Sequence, residues 1–258
     1  MRLVPNKAKY ALARWIGDVI EKRAKRILRE TNVWEPLQAY LAESPSTGCS
    51  YSDYLLLYKY IREKKPKHVL ECGTGVSTVV IAQALKENHL DGGGSGKVTS
   101  LEESASYHSA AVKIFPKALA EYADILLSPV VEDTYNFFRG VRYKDIPDLP
   151  YEFVLVDGPD HLVNPTRPIV AFNFDLLWVI ERSKQPVSAL IDTRISTCFV
   201  YSIILGKKFS FDYLRRVGVV EQCAKKDILS AQEIGSRALK RRAFARPSLR
   251  KFVFGQYE

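Results

Sequence analysis

Three acidic residues stand where an open α/β sheet would present them to a ligand. Glu71, Glu102 and Asp157 each follow a short apolar run that reads as a strand. Gly73 and Gly75 come just after Glu71 and permit a tight turn with close backbone approach to a ligand, and a helix starting near Ser77 would offer its free N–H groups there. The dinucleotide pattern GxGxxG is not met, because Thr78 replaces the third glycine and Glu102 lies 27 residues beyond Gly75, where about 20 are expected. A carboxylate at position 71 would repel a pyrophosphate but can pair, directly or through water, with an ammonium. Glu102, at the end of the second strand, can accept hydrogen bonds from both hydroxyls of a ribose. A ligand with an amino acid at one end and a nucleoside at the other would satisfy both.

Three segments carry a family resemblance. His68-Val-Leu-Glu-Cys-Gly-Thr-Gly-Val-Ser-Thr78, Val98-Thr-Ser-Leu-Glu102 and Tyr151-Glu-Phe-Val-Leu-Val-Asp-Gly-Pro159 resemble motif I, the following acid and motif IV of class I S-adenosylmethionine-dependent methyltransferases. The nearest subgroup is the small O-methyltransferase-like enzymes with an E-x-G-x-G-x-S-T motif, and the resemblance covers roughly residues 50 to 195. It implies that Glu71, Gly73 and Gly75, with Thr74, Ser77 and Thr78 around the turn, hold the methionine end of S-adenosylmethionine. It also implies that Glu102 holds the ribose and that Asp157 sits near the transferred methyl. Glu132, Asp133 and Thr134 are the candidates for the adenine end, which the family places after strand three.

The expected activity is methyl transfer to a small-molecule acceptor, at a hydroxyl oxygen. Such an acceptor must lose a proton, and His161, four residues beyond Asp157, is the base candidate. A surface-loop or capping histidine is the plain alternative. Catechol-type members of the family bind a divalent metal through two aspartates and an asparagine. Here Asp157 and Asp192 match, but Thr193 replaces the asparagine, so the metal is doubtful. Arg167 would bind an acidic acceptor group or cap a loop.

Strands and helices must alternate to place these residues. Apolar spacing predicts helices over Asn6–Arg29, Ser52–Lys64, Ser77–Lys86, Ala105–Glu121 with an interruption at Pro116, and Pro168–Arg182. Strands are expected at His68–Glu71, Lys97–Leu101, Asp124–Val131, Phe153–Val156 and Val187–Ile191, with an edge hairpin from Phe209–Leu214 and Leu249–Phe254. The fold class is therefore α/β: a doubly wound, mostly parallel Rossmann-like sheet with helices on both faces, an antiparallel C-terminal edge and an N-terminal helical extension. The extension is assigned to residues 1–45 and the cofactor-binding domain to 46–258.

With 258 residues, 47% hydrophobic and 26% charged, the chain can bury a sizeable core, which excludes disordered and collagen-like classes. No apolar run approaches the roughly 20 residues of a membrane span, and Arg2, Lys7, Lys9 and Arg14 interrupt any secretory core, so the reading is cytoplasmic. Cys49, Cys72, Cys198 and Cys223 lack metal spacing and read as buried thiols. The net charge of +9 sits at the ends: residues 1–31 hold nine Lys/Arg against three Asp/Glu, and residues 206–258 thirteen against five. The first helix is basic and amphipathic, for its own domain, a dimer partner, a membrane surface or a nucleic acid. The basic ends keep two alternatives open: an RNA-directed methyltransferase, with nucleic acid not favoured for want of a binding module, and a non-catalytic nucleotide- or partner-binding protein.

Overall fold

Strands buried on both faces need continuous apolar runs, and β1 (His68–Cys72), β6 (Phe153–Val156) and β8 (Val187–Ile191) meet that need with almost every residue buried. The computed structural model describes residues 6–44, 50–159, 172–192, 194–213 and 215–236. With β2 (Lys97–Glu102), β3 (Ala123–Leu127), β9 (Phe209–Asp212) and β10 (Val217–Cys223), these strands form a seven-stranded sheet in the order β3-β2-β1-β6-β8-β10-β9. The first five are parallel to one another, and β10 is antiparallel to both β8 and β9.

Helices cover both faces. On one side lie α1 (Asn6–Arg29), α2 (Trp34–Glu43), α3 (Tyr51–Lys64) and α4 (Val76–Leu90), whose Leu28, Leu37, Leu57 and Val80 share a core with Val69, Phe153 and Leu190 of the sheet. On the other side lie α6 (Asp175–Arg182) and α7 (Ile195–Ile204), packed on Leu70, Val154, Val156 and Ile191. This is the expected doubly wound, Rossmann-like α/β class with an antiparallel edge. The thiols of Cys72, Cys198 and Cys223 are free and buried as expected, and Cys49 lies outside the described residues.

Several elements differ from the sequence expectations. The strand expected over Asp124–Val131 is two strands: β3 ends at Leu127, and after Ser128-Pro129 the chain enters β4 (Val130–Tyr135). Pro129 has no N–H for the ladder, and β4 leaves the main sheet to pair with β5 (Phe138–Tyr143) in a second sheet of order β4-β5-β7, where β7 is Phe172–Asn173. The helix expected over Ala105–Glu121 is α5 (Ala105–Ile114), stopped before Pro116, and a separate 3-10 turn over Lys117–Tyr122. The helix expected from Pro168 begins at Asp175, since Phe172 and Asn173 are in β7, and residues 168–171 lie outside the described chain.

At the antiparallel edge, β9 pairs with Val217–Cys223, and Leu249–Phe254 lies outside the described residues. Gly218 hid this strand, yet it is needed there. A Cβ at that position would come within 2.9 Å of Cys198 Sγ. The sequence reading also passed over α2, which carries Pro36 in its first turn, where proline is tolerated.

Candidate functional site

The strand order reverses between β1 and β6, and the crevice beyond the carboxyl ends of strands at such a point is where open α/β sheets bind ligands. Strand register decides what reaches it. Glu71 pairs with Ser100 on one side and Leu155 on the other, and Leu155 pairs with Leu190. Side chains alternate along a strand, so Glu102, Asp157 and Asp192 stand on the same face as this row, two residues further on. That face is the one roofed by α2, α3 and α4.

Glu71 is fully buried. Thr78 donates its hydroxyl proton to Glu71 Oε2 at 2.6 Å, lies 3.3 Å from Ser100 Oγ, and accepts the Gly75 N–H at 3.1 Å. Thr74 and Ser100 share a further hydrogen bond of 2.8 Å. Glu71 Oε1 has no partner among the described residues. Burial pushes its carboxyl up to about 7, opposed by the hydroxyls of Ser77, Thr78 and Ser100 and assisted by the charge of Asp157. Glu102 is also buried; it accepts the Ser104 N–H at 2.9 Å, and burial raises its carboxyl above the usual range. Tyr40 of α2 has its phenol raised to about 12, first by burial and then by the charges of Glu71 and Glu102.

The two glycines of the turn do different things. Gly73 has φ +101°, and a Cβ there would lie 2.9 Å from the Gly158 backbone nitrogen, so glycine lets the β1 turn touch the β6 turn. Gly75 caps α4 with nothing within 4 Å of an added Cβ. It opens onto free space at the helix N-terminus, where N–H groups favour an anion.

Asp157 follows β6 in a loop held through its backbone carbonyls. Arg194 donates to the Asp157 and Pro159 oxygens, the latter at 2.7 Å, and Asn173 donates from its amide to the Gly158 and Pro159 oxygens at 3.1 and 2.9 Å. Asn173 is in turn held by the Thr197 hydroxyl at 3.1 Å. The Arg194 guanidinium also lies 4.0 Å from the Asp157 carboxylate. Beside this loop is a cavity walled by Asp53 and Tyr54 of α3, Leu155 and Asp157 of the β6 end, and Leu190 and Asp192 of the β8 end. Burial raises the Asp53 carboxyl, against its hydrogen bonds from Ser50, and the charge of Asp192 adds to the rise.

The structure thus gathers Glu71, Gly73, Thr74, Gly75, Ser77, Thr78, Glu102 and Asp157 at one end of the sheet. Glu132 and Asp133 are exposed on β4 of the second sheet, with Glu132 paired to Arg139 across the hairpin. His161, Arg167 and Thr193 lie outside the described residues. Among the described residues no group of three His, Cys, Asp or Glu side chains is placed to hold a metal ion. Sequence reasoning missed Tyr40, Asp53, Ser100 and Asn173. Only Ser100 left a signal, as a hydroxyl two residues before Glu102 and so on its face of the strand.

No family model and no curated protein matches this chain. Among solved structures, the chain is similar to the O-methyltransferase from Bacillus cereus in complex with S-adenosylhomocysteine, at 14% identity over 82% of this chain and 97% of that one, with a TM-score of 0.44. It is also similar to the S-adenosylhomocysteine-bound methyltransferase PaMTH1 of Podospora anserina (12% identity, 95% and 91% covered, TM-score 0.45). A third is the O-methyltransferase TomG of Streptomyces achromogenes in complex with S-adenosylmethionine (15%, 68% and 69%, 0.41). At these identities, the roles of individual residues rest on the geometry of this chain.

Proposed function

We propose that this protein transfers a methyl group from S-adenosylmethionine to a hydroxyl oxygen of a small-molecule acceptor. The observation that carries the reading is Glu71: a fully buried carboxylate with one oxygen held by Thr78 and the other unpartnered, at the reversal of strand order and one strand from Glu102. A buried acid with one oxygen left without a partner among the described residues fits a cationic ligand group, directly or through water. The residues present fit the rest of the cofactor too. The space opened by Gly75 at the start of α4 would take the carboxylate of its amino-acid end, and Glu102 would take the ribose hydroxyls.

Bound there, the cofactor supplies an electrophilic methyl on a sulfonium. The protein then has to align the acceptor, exclude water and accept a proton. The acceptor enters beside Asp157, where Leu155, Leu190 and Tyr54 supply apolar walls. Arg194 and Asn173 hold the loop that presents Asp157, so the carboxylate keeps its place as the acceptor enters. His161 takes the acceptor proton in this reading.

Supplied with S-adenosylmethionine and a panel of phenols and alcohols, the protein should release S-adenosylhomocysteine. His161→Ala should lower turnover by roughly 10²- to 10⁴-fold with S-adenosylmethionine affinity unchanged. A silent His161→Ala, combined with loss of turnover in chelator and recovery with magnesium, would replace the histidine with a metal at Asp157 and Asp192. No methyl transfer to any hydroxyl, with transfer to amines instead, would overturn the acceptor class.

A further inference from the structure

We propose that the outward face of α1 docks the protein on an anionic lipid bilayer. The inward face of α1 is committed to the fold. Ala24 and Leu28 are buried, the Glu21 carboxylate accepts the N–H groups of Tyr51 and Ser52 at the start of α3 at 2.5 and 3.1 Å, and Lys25 lies over the Tyr51 ring. What remains outward is a mixed stripe. Trp15 is 63% exposed and Val19 46% exposed, and Lys22, Arg23 and Arg26 continue the same side of the helix at three- and four-residue spacing.

Arg14 is exposed at the near end and Arg29 at the far end, where it reaches over Trp34; Asp18 is an exposed acid of this helix, and Glu30 follows its last residue. Arg14, Lys22, Arg23 and Arg26 form no ion pair among the described residues. With these four cations outside any ion pair among the described residues, and with Trp15 and Val19 in water, this face has left both an electrostatic and an apolar contact unmade.

The composition of the stripe selects the occupant. Tryptophan settles at the headgroup level of a bilayer, and lysine and arginine are drawn to an anionic leaflet, so one flat surface satisfies Trp15, Val19 and the cations at once. A nucleic-acid backbone would use the cations and leave Val19 and Trp15 wet. A second copy of the same face would set like charges against each other. The helix lies on the surface in this proposal and does not cross it; no helix among the described residues is long and apolar enough to span a membrane.

Co-sedimentation of the full chain with vesicles tests the proposal. At about 0.1 M salt the protein should pellet with vesicles of about 70% phosphatidylcholine and 30% phosphatidylserine, and not with phosphatidylcholine alone. Lys22→Glu with Arg26→Glu should weaken binding by about tenfold or more, and Trp15→Ala by several-fold. Lys113→Glu with Lys117→Glu, an equal charge change at exposed sites away from α1, should stay within about twofold of the parent. The proposal is overturned by three results: no pelleting with the anionic vesicles, equal pelleting of the α1 charge-reversal variant, or a homodimer in sedimentation that Trp15→Ala dissolves while lipid binding is absent.

Discussion

Burial around Glu71 favours its protonated form, and that gives the cofactor reading a pH signature. Its carboxyl is pushed up to about 7 because burial outweighs the hydroxyls that support it. The folded chain therefore retains a proton that the unfolded chain releases near pH 4.5, and fold stability falls as pH rises between those values. A cationic ligand group competes with the same proton. S-adenosylmethionine affinity should then weaken as pH drops below about 7, by up to about tenfold per unit, and Glu71→Gln should be weaker and flat with pH, as read by calorimetry across pH 5.5 to 8. The glycines separate in the same way. Gly75→Val should fold normally and lose the cofactor, because its side chain enters open space at the start of α4. Gly73→Val should lose stability instead, because its Cβ meets the Gly158 backbone, and thermal melts with cofactor titrations tell the two apart. Glu71, Glu102, Asp157 and the glycines were legible because each follows a strand-like run. Asn173 was not, because its partners are backbone carbonyls 14 and 15 residues back in sequence, and no residue pattern announces such a contact.

At the scale of elements, the clamp formed by β7 and the start of α7 fixes the loop after β6. Asn173→Ala leaves the Gly158 oxygen without its amide donor and the Thr197 hydroxyl proton without its acceptor, at a cost of roughly 1–3 kcal/mol per orphaned group. Its melting temperature should fall by several degrees, and turnover should fall more than S-adenosylmethionine affinity, because the loop presents Asp157 to the acceptor cavity rather than to the ribose. Equal losses in both would argue that the clamp only maintains the fold. The parallel strands and α1, α3 and α4 were readable from apolar runs and helical spacing, and α1 spans the expected residues. The second sheet was not. β4 continues the run of β3 past a single proline, and the two residues of β7 carry no periodicity to read. Likewise α2 reveals itself only through the fold, by placing Leu37 and Tyr40 in the core above Glu71.

Across the whole molecule, the basic ends and the more acidic middle divide the work that the chain is proposed to do. The sheet and the α2–α4 roof build an acidic crevice for a ligand with a positive end, while α1 turns Lys22, Arg23 and Arg26 outward. Local runs of sequence encode the layers. The convergence of Glu71, Ser100, Glu102, Asp157 and Asp192 on one face depends on strand register, which only the assembled sheet reveals. The central claim is that this crevice is an S-adenosylmethionine site with Glu102 on the ribose. Calorimetric titration of the parent protein and Glu102→Ala with S-adenosylmethionine tests it most directly. The account predicts saturable one-site binding that Glu102→Ala weakens by roughly 10- to 100-fold, near 1.4 kcal/mol per tenfold, in a protein with unchanged circular dichroism. Absence of binding to the parent, or equal affinity in the variant, would contradict it.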